Sequence, residues 1–317
     1  MSRRATPLVI ALAAISALDC KAGDTSSAPA APTKLIVATI PIVDVAPIYL
    51  GKQKGFFTEA GIDLTLQLAQ GGAAIVPGVV SGQFQFGFGN VVSLLLAEAK
   101  GLPLKVVAAG NSTTGKQGDD FGALVIAAGS ALKTAKDLEG KTASSNTLNN
   151  IGDLCIRASV RKAGGDPTQV KFVEVGFPDV PGAIAEKRVD AAFAVEPSLT
   201  VVKDQGGGVL ASPFVDCSPD LMVAAYFTSR DYADKNPDVV KRFTAAMNKS
   251  LTYASEHSDE ARAILTTYTK INQETAAKLR LPRWTPTINR ESVQAVAELM
   301  VQDKLVAAKP DLGALLP

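Results

Sequence analysis

Residues 35–68 read LIVATIPIVDVAPIYLGKQKGFFTEAGIDLTLQL. The stretch opens with a β-branched run at 35–39, passes into an amphipathic segment from about Ala46 that stops near Gly55, and returns to an extended run at 62–68. Short extended runs separated by amphipathic segments are the pattern of an α/β domain, in which helices cover a mostly parallel sheet.

The same alternation continues. Gly71-Gly72 punctuates the chain before a helical segment through Val80, and 83–88 alternates as a strand with Phe84, Phe86 and Phe88 on one face, an arrangement that reads as core packing. Asn90 is placed to cap a helix running to Lys100, and 105–109 is the next strand. Residues 110–120, rich in Asn, Ser, Thr and Gly, and the strand that resumes at 121–127 read as the first passage between lobes. The second lobe is read as opening with a charged hairpin-like segment at 137–140, followed by a strand at 141–143, a helix at about 150–163 closed by Gly164-Gly165, and strands at 170–175 and 191–195, with Asp179 and Pro181 at a helix start between the last two. The return crossing is expected at 221–227. Beyond Ser229 the chain is mainly helical, with starts at Asn236-Pro237, Ser258, Asn272 and Asn289, and with Val293, Val296, Met300 and Val301 near helical spacing in the last helix. The division expected is 34–114 with 225–317 as one lobe and 115–224 as the other. No period of 20 to 50 residues recurs, which argues against solenoids and propellers.

Composition agrees with two bodies. A chain of 317 residues, 47% of them hydrophobic, suffices for two lobes with separate cores. The 32 basic and 31 acidic residues leave no net field to draw nucleic acid or an anionic membrane surface.

The N-terminus reads as an export signal over 1–20: Arg3 and Arg4, then an uncharged apolar run at 8–18 that is too short to span a bilayer. Cys20 closes it, and 21–33 is a stretch of Ala, Ser, Pro, Thr and Gly that reads as a flexible tether. That order resembles a bacterial lipoprotein, with Cys20 as the lipidated residue and the mature protein held at the extracytoplasmic face of the cell membrane; Asp19 stands where such signals carry a small residue. The remaining pair, Cys155 and Cys217, fits a disulfide in an oxidising compartment or two buried thiols. A metal site would need partners that the single histidine, His257, does not supply.

Four segments in order carry a resemblance to a known family: 49–57 (YLGKQKGFF) with 60–64 (AGIDL), 79–82 (VVSG) leading to Phe86-Gly87, 137–141 (DLEGK), and 189–197 (VDAAFAVEP). The chain resembles, over most of 35–270, the nitrate, sulfonate and thiamine-precursor group of periplasmic solute-binding proteins that serve ABC importers. Gln85 departs from that pattern, which often has Asp before Phe-Gly. The resemblance implies a type II periplasmic-binding fold: two α/β lobes, two hinge crossings, and a ligand in the cleft between them. Its partners would be a small molecule, an ABC permease and its ATPase, with a monomeric chain and no cofactor.

Bottom-up reasoning puts a ligand in the same place, at strand C-terminal ends and helix N-termini. Ser144 to Asn150 lies between a strand and a helix start, so Ser145, Asn146, Thr147 and Asn149 are candidates, with helix capping the competing role for Asn149 and Asn150. Asn90, with the amides of Val91 and Val92, occupies the corresponding junction in the first lobe. Thr39, Pro41, Asp44 and Ala46 correspond to a pocket-lining loop in the family. Gly71 and Gly72 permit close backbone approach or a turn, and Asn111, Ser112 and Thr113 border the first crossing. Glu196, at a strand end before Pro197, is the acid that pattern places in the cleft, either for a ligand amine or hydroxyl or for a neighbouring lysine. No arginine falls in these segments, so an anionic ligand would rest on neutral donors and helix ends; an amino-heterocycle on Glu196 is the alternative.

The function expected is capture of a small organic anion or heterocycle by lobe closure, with no catalysis. A sensor for a signalling receptor would share the fold. An enzyme of thiamine-precursor synthesis, as in some relatives of the resembled family, would use a site rich in histidine and cysteine, which this chain lacks.

Overall fold

The computed structural model describes residues 31–317; the proposed signal, Cys20 and the tether up to residue 30 lie outside the described residues. Structure begins earlier than the tether reading allows, because β1 (Thr33–Thr39) starts at Thr33, whose amide donates to Gly61 O. The other strands are β2 (Ile62–Leu68), β3 (Phe86–Asn90), β4 (Leu104–Ser112), β5 (Gly122–Ile126), β6 (Thr142–Ser145), β7 (Lys171–Glu174), β8 (Ala191–Val195), β9 (Gly208–Ala211) and β10 (Met222–Ser229). They form two five-stranded sheets, in the orders β2-β1-β3-β10-β4 and β7-β6-β8-β5-β9.

Each sheet is mixed. In the first, β1 runs parallel to β2 and β3, whereas β10 is antiparallel to β3 and β4. In the second, β6 is parallel to β7 and β8, whereas β5 is antiparallel to β8 and β9. The reversed strands, β5 and β10, are the ones that enter directly after the chain has passed from the other sheet. The two passages adjoin: Met222 pairs with Ser112 in register, and Thr113 N donates to Leu221 O at 2.9 Å.

Two expected boundaries shift for this reason. The stretch read as the return crossing is β10, which is paired within the first sheet, so the return precedes Met222. The first passage begins later than 110, because β4 runs on through Asn111 and Ser112 against β10. Phe84 precedes β3 and packs over the helix Gly72–Val80, where a Cβ on Gly78 would come within 2.4 Å of its ring.

The expectation of two separate cores holds for one face of the second sheet only, where Ala123, Val125, Val180, Ile184 and Leu199 form their own cluster. The first sheet's core and the other face of the second belong to one apolar cluster, which includes Leu35, Phe86 and Phe243 as well as Phe121, Phe193 and Phe214. The cores merge because the two bodies are in contact along their seam, where Ile40 and Phe177 are both buried.

Asn90, Asn150, Asn272 and Asn289 each cap a helix through a side-chain oxygen. Asp179 precedes its helix without making such a bond. Cys155 and Cys217 are disulfide-bonded, with Cα atoms 5.3 Å apart, and tie the helix Ile151–Lys162 to the helix Pro213–Cys217 within the second body. In the helix Arg290–Gln302, Val293, Val296 and Met300 are buried and Val301 is half-buried. His257 is exposed and stacks on Tyr253.

Candidate functional site: the seam between two sheets

The C-terminal ends of the parallel strands supply the polar residues. Thr39 ends β1, and Asn90 and Asn111, near the ends of β3 and β4, both pair in register with Ala224 of β10 between them. On the other side Ser145 ends β6, and Glu196 follows β8. The two edges meet: Val43 N donates to Glu196 O at 3.0 Å, and Asn146 Nδ2 reaches Gln70 O at 3.5 Å. A Cβ on Gly71 would stand 3.0 Å from Asn146 Nδ2 and 3.5 Å from Thr147 Cγ2, so glycine lets the edges approach here. Half-buried Pro41 lines a cleft with Leu68 and Gln70 on one side and Phe177 and Pro178 on the other.

The most constrained part of the seam surrounds Asp44. It lies in a single 3₁₀ turn, Val43–Val45, between β1 and the helix Ala46–Gln53, and is 3% exposed. Asn111 Nδ2 donates to its Oδ1 at 2.9 Å, and Trp284 Nε1 donates to its backbone carbonyl at 3.2 Å. Tyr49 and Tyr268 stack with ring centroids 3.9 Å apart; Tyr49 Oη shares a 3.2 Å hydrogen bond with Thr39 Oγ1, and Tyr268 Oη donates to Ile42 O at 3.1 Å. Burial drives the Asp44 carboxyl up to about 7, against the lowering effect of the Asn111 hydrogen bond, and lifts the Tyr226 and Tyr268 hydroxyls well above their ordinary range.

Five buried polar atoms near these strand ends have no hydrogen-bond partner: Asp44 Oδ2, Asn111 Oδ1, Tyr226 Oη, Ser144 Oγ and Ser145 Oγ. Leaving such an atom unpaired costs about 1–3 kcal/mol, so their gathering at the strand ends calls for an explanation.

Other candidates are already committed to the protein. Asn90 Oδ1 accepts from Ser93 N, and Val91 is buried behind it. Gly72 is needed for packing, since a Cβ there would lie 2.3 Å from Ser93 Oγ. Ser112 exchanges both backbone hydrogen bonds with Arg283. The amides of Asn149 and Asn150, expected to be open to an anion, donate to the Asp153 carboxylate at 3.0 and 2.6 Å, and Thr147 Oγ1 accepts from Asn150 Nδ2. Asn149 itself is exposed at a φ of 52°.

Glu196 lines a cavity together with Lys203, whose charge acts on it, but its carboxylate oxygens are hydrogen-bonded within the protein. Its Oε2 accepts from Thr200 N at 2.9 Å, and its Oε1 accepts from Thr200 Oγ1 at 2.8 Å and Arg280 N at 3.1 Å. Burial still lifts its carboxyl above the usual range. It is a brace between β8 and the segment that carries Trp284. A cavity of ≈ 260 Å³ beside it contains Asp119, Lys278 and Arg280, whose charges are met within the protein by the pairs Arg280–Asp119 and Lys278–Asp204.

Sequence reasoning missed Tyr49 as a wall residue, and Tyr226, Tyr268 and Trp284 altogether. Trp284 is the chain's single tryptophan, which is the one signal that could have drawn attention to it. Among the described residues no three His, Cys, Asp or Glu side chains gather in a metal-holding group, and no helix is long and apolar enough to cross a membrane.

Two sheets joined by adjoining crossings, with polar strand ends facing one another, define the periplasmic-binding-protein fold, and solved structures agree. The chain is similar to the zinc-bound ligand-binding component of an ABC-type import system from Staphylococcus aureus, with a TM-score of 0.79 and 16% identity over 90% of this chain and 96% of that one. It is also similar to the alkanesulfonate-binding protein SsuA from Xanthomonas axonopodis pv. citri bound to MOPS, with a TM-score of 0.76 and 18% identity over 91% and 99% of the two chains. The chain belongs to the family described as NMT1/THI5 like, whose model matches residues 42–261. A Bacillus subtilis (strain 168) relative named as a binding protein, YtlA, is 23% identical over 237 residues, 71% of this chain and 67% of its own. A formylaminopyrimidine-binding protein of Halalkalibacterium halodurans is 23% identical over 223 residues, covering 69% and 65%. The Saccharomyces cerevisiae 4-amino-5-hydroxymethyl-2-methylpyrimidine phosphate synthase THI11 is 22% identical over 220 residues, covering 65% and 62%.

Proposed function

We propose that this chain is the extracytoplasmic solute-binding component of an ABC importer, anchored by a lipid on Cys20, and that it captures a small organic molecule by closing two lobes on it. The observation that carries the reading is the set of unpartnered polar atoms at the strand ends, Asp44 Oδ2 and Asn111 Oδ1 in the first body and Ser144 Oγ and Ser145 Oγ in the second. A guest held between them gains its full contacts only when the bodies are shut, so it stabilises the closed form selectively. The adjoining passages, at 113–121 and 218–221, are the hinge. Asp120 knits the first of them, accepting from Thr114 N and Phe121 N at 2.9 Å and from Thr113 Oγ1.

The chain acts as a binder and performs no chemistry. Its single histidine is exposed on a helix end, away from the Asp44 cluster, and the disulfide occupies the two cysteines of the second body. The test is thermal-shift screening against sulfonates, nitrate, aromatic carboxylates, pyrimidines and amidines, because a ligand that binds only the folded form raises the melting temperature. Quenching of Trp284 by the same compound ties the hit to this site. A melting temperature unmoved by every class contradicts the reading.

A further inference from the structure

Beside Asp44 the seam lacks donors and positive charge. Asn111 spends its amide group on Asp44 Oδ1 at 2.9 Å. What remains on these two adjoining side chains is a pair of oxygens, Asp44 Oδ2 and Asn111 Oδ1, both buried and both unpartnered. Two neighbouring acceptors fit a planar group that presents two N–H donors in parallel.

Among the described residues no cation pairs with Asp44. Around it stand Tyr49 from the helix Ala46–Gln53, Asn111 from β4, Tyr226 from β10, and Tyr268 and Trp284 from the C-terminal region, and the charged group felt at longer range is Asp120, also acidic. The basic residues nearest in sequence to Trp284 are committed elsewhere: Arg283 to Thr113 O and Asp220, Arg280 to Asp119. A buried carboxylate without a counter-charge is costly, and a cationic guest removes that cost. Beside Asp44 an anion meets carboxylate and amide oxygens, and what the strand ends offer it is the hydroxyls of Ser144, Ser145 and Tyr226, since the helix-start amides of Asn149 and Asn150 are held by Asp153.

We propose that the ligand is a planar cation with paired N–H donors, of the amidine or guanidine class, and that ionised Asp44 is the residue that selects it. This rests on the solute-binding reading above. The proposal carries a linkage: burial holds the free Asp44 carboxyl near about 7, so a cation that binds the ionised form releases a proton below that pH. Its affinity rises about tenfold per pH unit up to about pH 7 and levels off above. An anion accepting a hydrogen bond from protonated Asp44 would show the reverse slope and take up a proton above about pH 7.

The probes are benzamidine and its near-isosteres benzoate and benzenesulfonate, titrated calorimetrically into the purified full chain at about pH 5.5 and about pH 8, in buffers of different ionisation enthalpy. Benzamidine is expected to bind at least about tenfold tighter than benzoate at the higher pH, to weaken more than about tenfold at the lower, and to release a proton there. Asp44→Asn is expected to flatten the pH dependence and to weaken benzamidine at least about tenfold at about pH 8; the wild-type comparison stands without the variant. Tighter binding of benzoate or benzenesulfonate, a benzamidine affinity that does not change with pH, or binding of none of the three overturns the cation class. The solute-binding reading falls separately, only if the wider screen of sulfonates, carboxylates, nitrate and pyrimidines also leaves the melting temperature unmoved.

Discussion

Replacing Asp44 by asparagine should make the protein more stable at neutral and alkaline pH, and the size of the gain follows from its burial. The carboxyl moves from 3.8 to about 7 on folding. Between those values the native state holds a proton that the unfolded chain has lost, so stability from this group is full below about pH 4 and is lost as pH rises through about 7. The interval, at 1.36 kcal/mol per pH unit, corresponds to about 4 kcal/mol as an upper bound. Burial raises Asp120, Asp153 and Glu196 as well, so wild type alone would mix four contributions of the same sign. The difference between wild type and Asp44→Asn isolates one. Urea unfolding of both at about pH 5 and about pH 8 should show the variant gaining on wild type by up to about 2.7 kcal/mol as pH rises, the part of the interval that lies above pH 5. Equal pH dependence in the two proteins would refute the reasoning, because it would mean that Asp44 is ionised and solvated in the folded state.

Three further outcomes follow from particular contacts. Glu196→Gln puts an amide NH2 in place of one of two oxygens that together accept three hydrogen bonds, so a donor faces a donor, and it should cost about 1–3 kcal/mol in urea unfolding. Reducing the Cys155–Cys217 bond, or replacing both residues by alanine, opens a loop of 62 residues and should cost up to about 4 kcal/mol on the chain-entropy account, read as a lower denaturation midpoint. Gly71→Leu places a side chain where even a Cβ would lie 3.0 Å from Asn146 Nδ2; it should hold the seam ajar, weakening ligand at least about threefold by Trp284 fluorescence while leaving the urea midpoint near that of wild type.

The architecture was legible because local chemistry decides it. Ile62–Leu68, Ala191–Val195 and the caps at Asn90, Asn150, Asn272 and Asn289 are set by neighbours within a turn or two. Pairing between distant segments was less visible: β4 runs through Asn111 and Ser112 only because β10 lies beside it. Of the candidate site, Asp44 was expected from the resemblance and Asn111 from its place at the first crossing, but nothing local says that they hydrogen-bond each other across 67 residues or that Trp284 donates to the Asp44 carbonyl. For Glu196 the sequence likewise does not show that Thr200 and Arg280 donate to its carboxylate.

Closure about adjoining crossings is the step on which capture depends, and small-angle X-ray scattering reads it directly in the intact chain. Adding a ligand identified by the thermal screen should contract the radius of gyration and narrow the distribution of interatomic distances. Identical scattering with and without a saturating ligand would contradict the account.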